Sequence, residues 1–272
     1  MNLYFGMGVD SMDKKLISQL AREIYSAEKS CQPIEALTAR YPDLTNEEAY
    51  QIQLAGMNMR IADGHTLVGK KIGLTSKAMQ AAMGVFEPDY GYITDRMMLL
   101  EGEAISLGSV IAPKVEAEIA FVLKEGLVGP SVTLPQVLKA TAGIMPAFEI
   151  IDTRMKDWDI KIQDSIADAA SIGRIVLGGT LVPIENLDLR YTGMVFEKNG
   201  EVITTAAGAA VLGHPANAVV WLANKLAQYG IALNAGEIIM SGSLTAACPV
   251  VAGDNLRATF DGLGTVGVRF VK

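Results

Sequence analysis

Glu116 and Glu118 stand two residues apart in Val115-Glu-Ala-Glu-Ile-Ala-Phe-Val-Leu123. That stretch begins in apolar–polar alternation and ends in a continuous apolar run, the pattern of a strand. Residues i and i+2 of a strand share a face, so the two carboxylates stand side by side and repel. A hard divalent cation removes the conflict, because Mg²⁺ or Mn²⁺ prefers oxygen ligands and keeps several waters. On spacing alone, two glutamates on a solvated strand face remain the plainer reading. Glu149 sharpens the case. It lies in Pro146-Ala-Phe-Glu-Ile-Ile151, where a lone acid is costly unless it is paired or bound to a metal. An ion pair with Arg154 is one solution. A third place at an open metal site is the other.

Other polar residues invite the same weighing. Lys70 and Lys71 lie between Gly69 and Gly73. One of them could face a cavity and hold a carboxylate, although two surface lysines are the plainer expectation. Asp89 follows Pro88, which favours a turn. As a functional residue it would be a general acid/base on a loop over the site. Asp164, Asp168 and Ser171 either cap a short helix or place a serine against a substrate. His214 precedes Pro215 and reads as structural, near a helix start. With only two histidines, His65 and His214, a histidine-based triad is not expected. Gly173, Gly178 and Gly179 form no dinucleotide fingerprint.

The elements that must position these residues are legible in outline. Leu16, Leu20 and Ile24 recur at helical spacing within 12–28. Thr45-x-x-Glu48 is a capping box that opens a second helix. A short helix is expected over 135–143 and a strand over 147–152. Asn199-Gly200 marks a two-residue hairpin between apolar runs. A helix over 215–229 is opened by Pro215 and closed by Gly230. Strands are expected over 236–241, 256–260 and 265–271. The expected organisation is a helical lobe over 12–68 and a β-rich catalytic domain over 69–272. The fold class is α+β, a mixed β-barrel or rolled sheet with peripheral helices. Residues 1–11 read as an expression-tag remnant, with Met12 as the natural start.

Composition narrows the function classes. The 272 residues carry a net charge of −7 and no Lys/Arg run, which argues against a nucleic-acid partner. No apolar stretch reaches about 18 residues without charge, so no membrane partner is expected. Two well-separated cysteines, Cys31 and Cys248, fit free thiols in a cytoplasmic protein. An acidic chain that handles an anion needs local positive charge, which a divalent cation supplies.

Taken in order, several segments resemble the 2-keto-4-pentenoate (2-hydroxypenta-2,4-dienoate) hydratase family of the fumarylacetoacetate hydrolase superfamily. They are Gly69-Lys-Lys-Ile-Gly-Leu-Thr-Ser76, Pro88-Asp-Tyr-Gly91, Pro113-Lys-Val-Glu-Ala-Glu-Ile-Ala120 and Pro146-Ala-Phe-Glu-Ile-Ile-Asp152. Asp157-Trp-Asp-Ile-Lys-Ile-Gln-Asp164, Leu212-Gly-His-Pro215 and Trp221-Leu-Ala-Asn-Lys225 follow, and the resemblance as a whole runs from about Met12 to Lys272. It implies a fumarylacetoacetate hydrolase C-terminal-like fold, with Mg²⁺ or Mn²⁺ held by Glu116, Glu118 and Glu149. It implies Lys71 and Asp89 as catalytic residues, and Lys71, Leu74 and Ser171 as contacts for a small anionic 2-keto or 2-hydroxy dienoate. It further implies a homo-oligomer, a pentamer or decamer, with room for a partner enzyme of the same pathway. Relatives usually carry Asn where this chain has Ala169, a departure that bears on loop order or substrate preference. A sister group decarboxylates 4-oxalocrotonate (2-oxohex-3-enedioate) with the same metal site. Asp89 and the Asp157-Trp-Asp segment favour hydration, whereas Ser243-Leu-Thr-Ala-Ala-Cys-Pro249 is closer to the decarboxylases.

Overall fold

The computed structural model describes residues 12–185 and 187–272. The tag remnant expected at 1–11 lies outside the described residues. Helices come first: α1 (Lys14–Ser30), α2 (Leu37–Arg40) and α3 (Asn46–Ala62) precede β1 (Leu67–Gly73). Then come α4 (Lys77–Ala82), β2 (Asp89–Thr94), β3 (Met98–Leu99), β4 (Ala104–Ser106) and β5 (Lys114–Leu123). After these, α5 (Leu134–Ala140), β6 (Thr141–Ile151), α6 (Ile162–Ala167), β7 (Ile172–Leu177), β8 (Gly193–Lys198) and β9 (Glu201–Ala207) follow. The chain closes with α7 (Pro215–Ala227), β10 (Ile238–Met240), β11 (Cys248–Pro249), β12 (Asn255–Phe260) and β13 (Gly264–Val271).

Local chemistry explains most boundaries. Asp13 caps α1 by accepting from Lys15 N, and the Thr45–Glu48 capping box starts α3. These caps satisfy N–H groups that a helix start leaves orphaned. His214 caps α7, accepting from Ala216 N at 3.1 Å, with Pro215 in the first turn. At the β8–β9 hairpin, Asn199 and Gly200 both adopt positive φ (55° and 85°), as a two-residue turn matched to strand twist requires. The helix expected over 135–143 ends at Ala140, and Thr141 already begins β6. Pairing with β5 claims that segment, because Leu123 faces Thr141 and Val122 faces Gly143.

Two sheets form. The larger curls in the order β2-β1-β10-β5-β6-β7-β3, with β11 added to β5. The smaller runs β4-β13-β12-β8-β9. They pack face to face, and the Phe148 and Phe196 rings meet at 5.4 Å between centroids. One face of the large sheet, carrying Val115, Ala117, Ile119, Phe121, Phe148 and Ile150, joins a core continuous with α1 and α3. The opposite face holds a smaller apolar group, including Ala120, Ala147, Ile175 and Met240. That second face carries the acidic side chains.

Candidate active site

β5 and β6 are antiparallel, and Glu116 faces Glu149 directly across the pair. Glu118, two residues along β5, shares that face. Each of the three glutamates offers an oxygen, and these oxygens lie within 4.8 Å of one another. Glu118 and Glu149 are fully buried, whereas Glu116 keeps some solvent access. Among the described residues, one of these carboxylates receives a backbone hydrogen bond: Gly242 N donates to Glu118 Oε2 at 2.8 Å. Glu118 Oε1 and both oxygens of Glu149 have no hydrogen-bond partner among the described residues. Buried oxygens are rarely left so. Converging, unpaired carboxylate oxygens are the donor set a hard divalent cation requires, so the residues present fit Mg²⁺ or Mn²⁺.

Electrostatics agree. Burial, then repulsion from Glu149, pushes Glu116 up to about 7, with Lys71 pulling the other way. Burial and both neighbouring glutamates push Glu118 well above the carboxylate range. Glu149 is raised by burial against the pull of Lys71. These shifts mark acids placed together without enough positive charge.

Lys71 brings an ammonium beside them. Its Nζ lies 3.1 Å from Glu149 Oε1, an ion pair. Burial alone would lower its pKa, but Glu149, Asp89, Glu116 and Glu118 outweigh burial and raise it. The plainer expectation of two surface lysines is wrong. Lys71 is 3% exposed and Lys70 1%. Adjacent strand residues point to opposite faces, so Lys70 leaves the site and pairs with Glu237 at 2.6 Å.

Asp89 is not on a loop. It is the buried first residue of β2, paired with Gly73 of β1. Ser165 Oγ donates to its Oδ2 at 2.8 Å, and Oδ1 has no hydrogen-bond partner among the described residues. Burial raises its pKa, with Lys71 opposing. A Cβ on Gly73 would overlap Asp89 Oδ1 and come within 3.5 Å of Lys71 Nζ. Only glycine leaves room there for both groups.

Leu74 follows β1 in a left-handed conformation (φ 57°), half-buried. Ser171 is buried with an unpartnered Oγ. It ends a run of three left-handed residues, Ala169, Ala170 and Ser171 (φ 53°, 53° and 56°). Such backbone costs roughly 1–2 kcal/mol per non-glycine residue. Asn tolerates it better than Ala, which gives the departure at Ala169 a backbone meaning. Gly91 makes the turn fit, because a Cβ there would overlap the Ala169 carbonyl.

Arg154 holds this turn and does not pair with Glu149. Its guanidinium bonds the Asp168 carboxylate and the carbonyls of Asp168, Asp152 and Ile172. Asp164 is structural as well, accepting from Thr38 and Lys161 N. His214 remains a helix cap. Sequence reasoning passed over Gly242, Ser165 and Lys114. Lys114 shares the face of Glu116, and its ammonium lies 4.0 Å from the centroid of the Trp158 ring. The i−2 spacing from Glu116 was the available signal for Lys114. Ser165 and Gly242 had none, because only the fold brings them near an acid.

Fold and site together define a divalent-metal enzyme. Residues 68–271 match the fumarylacetoacetate (FAA) hydrolase C-terminal family, and the chain belongs to that family. It is 44% identical over 262 residues to a 2-hydroxyhexa-2,4-dienoate hydratase of Comamonas testosteroni, covering 96% of this chain and 99% of the relative. It is 49% identical over 222 residues to a 2-hydroxypent-2,4-dienoate hydratase of Pseudomonas putida, covering 81% and 100%. Among solved structures, the 4-oxalocrotonate decarboxylase of Pseudomonas putida G7, complexed with magnesium and adipate, superposes with a TM-score of 0.94. It is 40% identical, with 96% of this chain and 99% of that chain covered.

Proposed function

We propose that the protein is a Mg²⁺- or Mn²⁺-dependent hydratase in the breakdown of meta-cleavage products of aromatic rings. Its substrate is 2-hydroxypenta-2,4-dienoate or a close analogue, and its product 4-hydroxy-2-oxopentanoate or the matching homologue. The observation that carries the reading is the trio of converging glutamates beside Lys71, three of whose buried oxygens lack a hydrogen-bond partner among the described residues. Glu116, Glu118 and Glu149 would hold the cation. When bound, it supplies Lewis-acid stabilisation of negative charge on the substrate's 2-oxygen.

The chain's own residues do the rest. Lys71 stays protonated among the acids and faces the substrate carboxylate. Leu74 and Ser171 line the same end. The dienol takes a proton at C5 and gives up its 2-hydroxyl proton, becoming a 2-oxo-3-enoate. Water then adds at C4 and a proton at C3, so the elements of one water are gained. Asp89 moves protons at C5 and to or from the attacking water, and its raised pKa suits an acid that must also act as a base. The enzyme works in the cytoplasm as a homo-oligomer. Among the described residues no helix is long and apolar enough to cross a membrane.

A second reading, decarboxylation of 4-oxalocrotonate, is favoured by one observation. The decarboxylase-like segment 243–249 directly follows Gly242, which bonds Glu118. The deciding experiment supplies each substrate with and without Mg²⁺. Metal-dependent loss of dienol absorbance without carbon dioxide supports hydration. Stoichiometric carbon dioxide from 2-oxohex-3-enedioate refutes it in favour of the decarboxylase.

A further inference from the structure

Two polar side chains beside the site, Ser165 of α6 and Gln53 of α3, are left unused by the reaction scheme. Among the described residues, Ser165 is the one side-chain hydrogen-bond donor to Asp89, bonding Oδ2 at 2.8 Å. Oδ1 is left free beside Gly73 and Lys71. Ser165 sits on α6, and the start of that helix is fixed by its neighbour Asp164. The Asp164 carboxylate accepts from Lys161 N at 2.9 Å, from Thr38 N at 2.9 Å and from Thr38 Oγ1 at 2.5 Å.

Gln53 of α3 is 3% exposed. Its Nε2 donates to Tyr90 O at 2.9 Å and to Ile166 O at 2.7 Å. Those carbonyls belong to the residues immediately after Asp89 and Ser165. One amide therefore ties β2 to α6 at the point where the Ser165–Asp89 bond forms. Gln53 Oε1 is buried without a hydrogen-bond partner. Leaving a polar atom so is costly, and the two carbonyls that Nε2 ties together are what offset it.

We propose that Ser165 and Gln53 are positioning residues for Asp89. Ser165 occupies Oδ2, so that Oδ1 is the oxygen presented beside Lys71. Gln53 sets the distance between the strand and the helix that carry the pair. Together they fix which oxygen of Asp89 is left to exchange a proton. The inference rests on the role of Asp89 proposed above. Proton transfer needs the acid within hydrogen-bond reach of the reacting atom, and small misplacements are expensive.

The test compares Ser165→Ala, Ser165→Thr, Gln53→Leu and Asp89→Asn, at saturating Mg²⁺, on whichever substrate the wild-type enzyme turns over. A Mn²⁺ titration reads the glutamate cluster independently. Ser165→Ala should lower kcat roughly tenfold to a hundredfold, leaving KM and Mn²⁺ affinity within about twofold. Ser165→Thr, which keeps the hydroxyl, should return kcat to within about threefold, and Gln53→Leu should lower kcat with the same split. Unchanged kcat in Ser165→Ala overturns the proposal. So does a loss of Mn²⁺ affinity or of folded protein large enough to account for the fall. Full turnover by Asp89→Asn would instead remove the role of Asp89 itself, leaving Ser165 nothing to position.

Discussion

Lys70 and Lys71 are neighbours on one strand, both buried, and they live in opposite electrostatic worlds. Lys70 meets one acid, Glu237, at 2.6 Å. Asn234 Nδ2 completes that acid at 2.9 Å, and the Tyr92 ring lies beside the ammonium. Its charges cancel in a closed pair. Lys71 meets four acids, Glu149, Asp89, Glu116 and Glu118, and four of their buried oxygens lack a hydrogen bond among the described residues. Burial lowers the pKa of Lys70 despite Glu237, whereas the surplus of carboxylates raises that of Lys71. A balanced buried pair is part of the scaffold. An unbalanced cluster asks for a cation and an anionic substrate to complete it.

The comparison can be broken on the scaffold side first. Lys70→Met leaves Glu237 as an uncompensated buried charge, and removing one partner of such a pair costs about 3–5 kcal/mol. Denaturant unfolding should show that loss, while activity per folded molecule is retained at low temperature. An unchanged midpoint would dissolve the distinction between the two lysines.

On the site side the sign reverses. Glu149→Gln removes a ligand of the proposed cation, and activity and Mn²⁺ affinity should fall together by at least about a hundredfold. The metal-free variant should melt no lower than the wild type, because it has lost a surplus buried acid. Wild-type turnover in this variant would refute the glutamate site.

The smallest effect is a pH trend in the metal-free protein. Glu116, Glu118 and Glu149 all have folded pKa values above their ordinary 4.5. Groups raised in this way contribute stability that is complete below 4.5 and is lost as pH rises through about 7, where Glu116 titrates. The melting temperature in chelator should therefore fall by a few degrees between about pH 5 and about pH 8. Saturating Mg²⁺ should flatten the trend, since bound metal replaces the protons. Equal slopes with and without metal would show that these acids are not the ones the cation neutralises.

How much was legible follows from range. The capping box of α3, the Asn199-Gly200 turn and the alternation in β5 are local signals, and each appears where the sequence places it. The i, i+2 spacing of Glu116 and Glu118 fixed a shared face before any coordinates. The end of α5 was misread because long-range pairing with β5 overrode a local helical pattern. The burial of both lysines, the true partner of Arg154 and the strand position of Asp89 depend on neighbours far along the chain.

By itself, the sequence determined which side chains share a strand face, where helices start and which oxygen ligands are available. Those facts need only the fixed periods of strand and helix. Tertiary structure alone decided that Glu149 lies opposite Glu116, that Lys71 rather than Lys70 faces the acids, and that Ser165 reaches Asp89. Register between strands and the docking of a distant helix are set by how whole faces are buried, and no short stretch of residues contains that information.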